Sequence, residues 1–460
     1  MYIRRLGENY LKEWRERDGR KPLIIRGARQ TGKSWLVRQF GIENFKHLII
    51  LNFEKEPQFK AFFEKTTDIK KLVNEIELMK NIPIIPGETL LFIDEIQQCP
   101  AAIIKLRYFY EDMPELHTIA AGSLLEFVLE NELESFPVGR VEFYYLFPIC
   151  FEEFLGGYGE IKLLEYLNGV SPKNKIEPAI HIKLRDLLKE YMLVGGMPEA
   201  TAEFLKTRRY KDCEKIWESV IQTYREDFKK YSKRANVDNI EFAFSEAPHV
   251  VGQEINFTKF GKGSVGARES KIALRLLERA MLVYNVHQIN HTSFPLVPAL
   301  GKRNKLLFID IGLVQYINHM SKEILESQNY SSVYKGGLAE QLVGQELLPL
   351  TGSERHPELY YWCKDKTVGT AEVDYIYPHV DHVLPVEVKS GKGGSLSSLH
   401  QFMFEYKKKF AIRIYDGELT CETIRVKLPQ LKQVEYQLLS VPLYLIHKLP
   451  NLCEIFSTST

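Results

Sequence analysis

No two cysteines in this chain stand in C-x-x-C spacing; the six present, Cys99, Cys150, Cys213, Cys363, Cys421 and Cys453, are scattered. That distribution argues against a zinc site and against a disulfide framework, and it fits a reducing compartment. No apolar run approaches the roughly 20 residues of a membrane span. The first residues, Met1 to Arg5, lack the apolar core of a secretion signal. Charge of one sign is missing too, because 61 basic and 60 acidic side chains leave a net +1. Bulk charge therefore points to no nucleic acid or acidic partner, and any basic surface must be local. Repeats and low-complexity tracts are absent. The expectation is a soluble cytoplasmic protein with no membrane partner. At about 100–200 residues per domain, the 460 residues hold two to four domains.

What is present begins with Gly27, Ala28, Arg29, Gln30, Thr31, Gly32, Lys33 and Ser34, in the spacing G-x-x-x-x-G-K-S. Upstream, residues 22–26 read as a short buried strand; downstream, Ser34, Trp35 and the residues to Phe40 read as the start of a helix. Glycines there let backbone N–H groups turn inward and cradle phosphate oxygens at a helix N-terminus. Lys33 then reaches the β- and γ-phosphates, and the Ser34 hydroxyl ligates Mg²⁺. Residues 90–95, Leu-Leu-Phe-Ile-Asp-Glu, supply the second half of such a site. Asp94 is placed to hold Mg²⁺ through a coordinated water, and Glu95 to polarise the water that attacks the γ-phosphate. ATP is expected, since no N-K-x-D base-reading pattern for GTP occurs.

The next strand ends at Ala121-Gly122-Ser123. Ser123 suits a hydrogen bond to the γ-phosphate or the attacking water, and equally a helix N-cap; the two roles are compatible. Arg140 follows the turn Pro137-Val138-Gly139. Two readings stand for it: a cation reaching a neighbouring subunit's γ-phosphate, or a surface partner for a nearby glutamate. Strand-like runs alternate with helical ones from Lys21 to about Phe147, at 23–26, 47–53, 89–94, 118–121 and 140–146. That alternation predicts an α/β fold with a doubly wound parallel sheet.

Taken together, the D-E-I-Q ending at Gln97, Gly122-Ser123, Gly139-Arg140 and the run Leu146 to Phe154 resemble a group of prokaryotic AAA+-like ATPases. The resemblance continues in 191–199 (Tyr-Met-Leu-Val-Gly-Gly-Met-Pro-Glu) and 305–313 (Lys-Leu-Leu-Phe-Ile-Asp-Ile-Gly-Leu). It implies ATP use and a second domain of poorly defined role.

Between Phe151 and Val286 long amphipathic stretches predict a mostly helical middle. In the segment 268–283, Arg268, Lys271, Arg275 and Arg279 fall at i, i+3, i+7 and i+11, on one helical face. Ala273, Leu277, Ala280 and Met281 gather opposite, suited to a core. With a helical 239–247 before it and a strand 282–289 after it, this reads as a winged-helix unit whose basic helix contacts DNA. The resemblance implies such a module here. A solvated face beside Glu269 and Glu278 is the other reading. A second basic cluster runs from Lys229 to Arg234.

Farther on, Leu306–Ile309 and 359–388 read as strands, and the segment from about Leu428 as an edge strand or clasp. Glu340 lies in a helical stretch, Asp374 in one strand, Glu387 and Lys389 on one face of another. Two acids on adjacent strands suit a second divalent cation (Mg²⁺ or Mn²⁺), and Lys389 suits activation of a water against a phosphodiester. The order D…E-x-K, with Trp362 before it, resembles the PD-(D/E)xK restriction-endonuclease-like superfamily. Val373 stands where that pattern has proline. The acids suit a buried ion-pair network as well.

The expected domains are a P-loop ATPase (1–160), a helical lid and winged-helix-like region (161–332), and an α/β restriction-endonuclease-like domain (333–460). The expected activity is ATP hydrolysis coupled to a DNA-binding and nuclease module. The alternative is a signalling or chaperone-like ATPase acting on a protein partner, its nuclease fold silent. ATP and ADP are the expected ligands, with a homo-oligomer in play through Arg140.

Overall fold

Alternate residues of the first strands face opposite cores, which is how a strand buried on both sides is built. In the computed structural model, Leu23 and Ile25 of β1 (Leu23–Arg26) pack with Trp14, Leu36 and Phe40. Ile24 between them packs with Leu51, Ile93 and Ile103. The structure describes residues 2–123, 125, 136–231, 235–260, 265–326, 337–364, 369–391, 395–429 and 433–458. With β1, the strands β2 (His47–Asn52), β3 (Thr89–Asp94), β4 (His117–Ala121) and β5 (Glu142–Tyr145) form a five-stranded sheet in the order β2-β3-β4-β1-β5. Every pairing in it is parallel. The register sets Ile25 beside Ala121 and Asp94 beside Ala121, so the C-terminal ends of β1, β4 and β3 share one edge. The expected α/β architecture with a parallel sheet is what the chain adopts.

A second sheet carries eight strands: β6 (Val283–Ile289), β7 (Lys305–Phe308), β8 (Leu359–Cys363), β9 (Glu372–His379), β10 (His382–Lys389), β11 (Phe410–Tyr415), β12 (Thr420–Lys427) and β13 (Gln433–Pro442). Their order is β12-β13-β11-β10-β9-β8-β6-β7. One face packs Tyr360, Trp362 and Val373 against Leu399 and Phe402 of the Ser397–Glu405 helix. The other packs Tyr361, Tyr375 and Val386 against Leu342 and Val343 of the Gly337–Leu347 helix.

Two details differ from the sequence pattern. The last strand, β13, is interior, paired parallel with β11 and antiparallel with β12. The edge is β12, whose residues are all exposed or half-buried. An alternating pattern marks a strand but not its neighbours, and here the chain crosses back inside its own hairpin partner. The hairpin β6–β7 also joins this sheet, β6 pairing parallel with β8. The sheet therefore spans residue 332.

The middle of the chain is helical, as the amphipathic runs predict. Helices Phe151–Tyr158, Pro178–Val194, Pro198–Thr207 and Lys211–Tyr231 bury Phe154, Tyr191, Phe204, Trp217 and Tyr224 in one core with the second sheet. Two of these helices begin on proline, whose fixed φ and missing N–H cost nothing at a first turn. Val237–Glu246 starts on Asn236, which accepts from the Asp238 N–H. Phe257–Phe260 and Ala267–Arg279 follow, and then the β6–β7 hairpin. No described helix is long and apolar enough to cross a membrane.

Candidate functional site

The loop between β1 and the Lys33–Asn44 helix lies at the shared strand edge. Gly27 is required there by close approach: a Cβ would stand 2.3 Å from the Leu146 carbonyl oxygen. Gly32, at φ +92, turns the chain into the helix. Lys33 is buried and folds back on the loop, its Nζ donating to the Gly27 and Ala28 carbonyls at 2.9 and 2.7 Å. Burial pulls its pKa down to about 8, with Glu95 and Asp94 pulling the other way. The Ser34 hydroxyl donates to Asp94 Oδ1 at 2.9 Å, and Asn52 Nδ2 donates to Oδ2 at 3.1 Å. A hydroxyl and a carboxylate in contact form an all-oxygen pair of the kind Mg²⁺ takes.

Glu95 follows β3 in a left-handed conformation, φ 53°. Gln97 Nε2 donates to its Oε2 at 2.5 Å. Gln97 is itself buried, and its Oε1 lies where a side chain on Gly122 would stand, 2.3 Å from the Cβ position. Ser123 is next in the chain and half-buried. Sequence reasoning missed Gln97 as a site residue. Its only signal was the fourth letter of D-E-I-Q.

The helical middle reaches onto the loop. Arg29 Nη1 donates to Asp227 Oδ1 and Oδ2 at 2.7 and 2.9 Å. Tyr224 donates its hydroxyl to the Arg29 carbonyl at 3.0 Å, and Gln30 Nε2 donates to Thr223 at 3.3 Å. Beside Gly32 opens a cavity of about 250 Å³, walled by Ile3, Arg5, Trp35, Ile149, Pro198 and Ala202 among others. Trp35 of its wall also contacts Tyr2, the tilted rings 5.3 Å apart between centroids. Arg5 ties the N-terminal segment down, donating to the carbonyls of Thr31 (3.0 Å) and Phe147 (2.7 Å) and pairing with Glu153 at 3.0 Å. A larger cavity, about 430 Å³, opens between β5 and residues 349–354. It lies away from Lys33, Asp94 and Glu95, and proximity to those groups is the better guide to chemistry.

Arg140 pairs within the chain, its Nε 2.8 Å from Glu111, which also takes Arg107 at 3.0 Å. This is the glutamate partnership that the sequence left open as one reading.

Along Ala267–Arg279, Arg268, Lys271 and Arg275 are exposed and Arg279 is half-buried. Among the described residues no ion pair engages the first three. Ala273, Leu277, Ala280 and Met281 are buried on the other side, as their spacing predicts. Of the second basic cluster, Lys229, Lys230 and Tyr231 are described, and 232–234 lie outside the described residues. Lys230 pairs with Asp227 at 2.6 Å.

Glu340, Asp374, Glu387 and Lys389 do converge at one end of the second sheet. Asp374 Oδ2 accepts from the Val388 N–H at 2.8 Å, and Glu387 Oε1 accepts from Lys389 Nζ at 2.7 Å. Two further residues stand among them. Lys305, 2% exposed, places its Nζ 2.7 Å from Glu340, 2.5 Å from Glu372 and 3.5 Å from Asp374. Burial and the Asp374 charge push the Glu340 and Glu387 carboxyls upward. Burial opposes the Lys305 ammonium, yet Glu340, Asp374 and Glu372 more than offset it and raise its pKa. Sequence spacing gave no hint of Lys305, because it enters from the β6–β7 hairpin.

Residues 19–155 match the family model of the AAA domain. Residues 185–323 and 335–431 match two domains of unknown function, DUF8612 and DUF4143. No curated protein matches the sequence. Among solved structures, the Walker-type ATPase of Pyrococcus abyssi is similar at 15% identity over 69% of this chain and 96% of that one, TM-score 0.42. The ORC2 protein of Aeropyrum pernix is similar at 12% identity over 71% and 96%, TM-score 0.33. The RuvB Holliday junction branch migration motor of Thermotoga maritima is similar at 12% identity over 65% and 93%, TM-score 0.28. The AAA-domain match coincides with the five-stranded sheet and its phosphate loop. The chain carries an AAA-type P-loop ATPase.

Proposed function

We propose that ATP turnover at the Gly27–Ser34 loop drives a conformational cycle whose output is DNA contact through the Ala267–Arg279 helix. The observation that carries this reading is the row of exposed cations, Arg268, Lys271 and Arg275, with no acidic partner among the described residues, in a chain of net charge +1. Unpaired cations at helical spacing suit backbone phosphates. The Lys211–Tyr231 helix supports the coupling: it touches the loop through Tyr224 and Asp227 and packs Tyr224 and Phe228 on Phe244 of Val237–Glu246.

In the cycle, Lys33 leaves the Gly27 and Ala28 carbonyls for the β- and γ-phosphates, and the loop N–H groups take the remaining oxygens. Ser34 and Asp94 would hold Mg²⁺, which would supply charge neutralisation at the phosphates. Glu95 takes the proton of the attacking water, Gln97 sets its carboxylate, and Ser123 faces the γ-phosphate. The cavity lined by Trp35 and Pro198 receives the base. Arg140 serves a neighbouring copy's γ-phosphate only after leaving Glu111, which ties that role to a homo-oligomer.

The three helices before β6 act as the winged-helix-like module, with the β6–β7 hairpin shared between it and the second sheet, and residues 333–460 supply the rest of a restriction-endonuclease-like domain, in a cytoplasmic protein. Its Asp374, Glu387 and Lys389 retain the order for metal-dependent cleavage, but Lys305 among the acids favours binding over cutting. A silent domain also suits a protein partner as the output.

Fluorescence anisotropy with labelled duplex tests the reading. Binding at low salt that weakens steeply as salt rises is expected. No binding at low salt transfers the output to a protein partner.

A further inference from the structure

We infer that Lys305 is the resident cation of the C-terminal acidic cluster, so that this site holds no divalent metal ion. The inference rests on the cluster's own geometry and not on the DNA reading. Three carboxylates, from Glu340, Glu372 and Asp374, converge on one ammonium that is 2% exposed. A buried ammonium persists only with such partners, and three half-buried carboxylates crowded together (16–32% exposed) are stabilised by a cation between them. Each side supplies what the other lacks.

Two more carboxylate oxygens of the cluster are committed as well. Asp374 Oδ2 accepts from the Val388 backbone, and Glu387 Oε1 accepts from Lys389. Glu387 Oε2 alone is buried with no partner among the described residues. A divalent ion on Asp374 therefore meets the Lys305 charge a few ångströms away, where repulsion in a poorly solvated site is strong. The ammonium is hemmed in besides. Tyr361 presents its ring at 5.4 Å, and the Lys305 backbone is paired with Val286 in the β6–β7 hairpin.

The experiment is Mn²⁺ binding to the nucleotide-free full-length protein, followed by electron paramagnetic resonance of the free ion. Asp374→Asn separates this cluster from the Ser34–Asp94 site. Wild type and Asp374→Asn are expected to bind Mn²⁺ alike. Lys305→Met, checked for folding by circular dichroism, is expected to gain a single Mn²⁺ that a further Asp374→Asn removes. Wild-type binding that Asp374→Asn abolishes overturns the inference. A folded Lys305→Met variant that gains no ion overturns it too. Should Lys305→Met fail to fold, the comparison of wild type with Asp374→Asn decides alone.

Discussion

Arg29 of the phosphate loop meets Asp227 of the Lys211–Tyr231 helix at 2.7 Å, across 198 residues of sequence. Asp227 is nearly buried, while Arg29 keeps about a third of its side chain in solvent (32%). The contact couples the nucleotide loop directly to the helical middle. Asp227→Asn is expected to lower stability by about 1–2 kcal/mol, the exposed side of the pair limiting the loss. It is also expected to return DNA-stimulated turnover to the unstimulated rate. Calorimetry and a steady-state ATPase assay read both; stimulation that survives intact separates this pair from the coupling.

Lys33 predicts a pH dependence for nucleotide binding. Its pKa is pulled down to about 8 in the nucleotide-free protein by burial. A bound triphosphate favours the ammonium, so above about pH 8 the complex holds more protons than the free protein. Affinity is then flat below about 8 and falls as pH rises past it, approaching about tenfold per pH unit. Titrations with a fluorescent ATP analogue across that range check the sign; an affinity that rises with pH contradicts it. Lys33→Ala is expected to abolish binding at every pH.

Glu95 and Gln97 separate binding from turnover. Glu95→Gln is expected to bind ATP normally while kcat falls by about 10²–10⁴, the usual contribution of a general base. Gln97 Nε2 holds the Glu95 carboxylate at 2.5 Å, a contact that positions the base. Gln97→Ala is therefore expected to lower kcat by about tenfold with KM unchanged. A raised KM with normal kcat would place Gln97 in nucleotide binding instead.

Arg268, Lys271 and Arg275 each predict the same signature in DNA binding. Replacing any one by alanine is expected to weaken affinity equally for unrelated sequences and to reduce the salt slope by about 1. Anisotropy titrations at several salt concentrations measure both. A loss confined to one sequence identifies base contact rather than phosphate contact.

The nucleotide site was legible because its parts are local. The glycine spacing around Lys33 and the Asp94-Glu95 pair at the end of an apolar strand each fit within ten residues, and parallel strands deliver them to one edge. Strand positions such as Leu23–Arg26 and Thr89–Asp94 followed from apolar runs alone. Lys305 was not legible, since its meaning depends on β6 pairing with β8 and carrying β7 alongside the acids. The interior place of β13 was hidden for the same reason: burial alternation sets a strand's faces, while its neighbours are set by long-range pairing. The Arg29–Asp227 pair, likewise, is a product of folding at a distance.

The central claim is that ATP turnover answers to DNA through the Ala267–Arg279 helix. The direct measurement is the steady-state ATPase rate at low salt, with and without duplex DNA, for wild type and for the triple Arg268→Ala, Lys271→Ala, Arg275→Ala variant. The account predicts that duplex raises the wild-type rate, that rising salt removes the increase, and that the triple variant does not respond. A wild-type rate that is the same with and without DNA contradicts it.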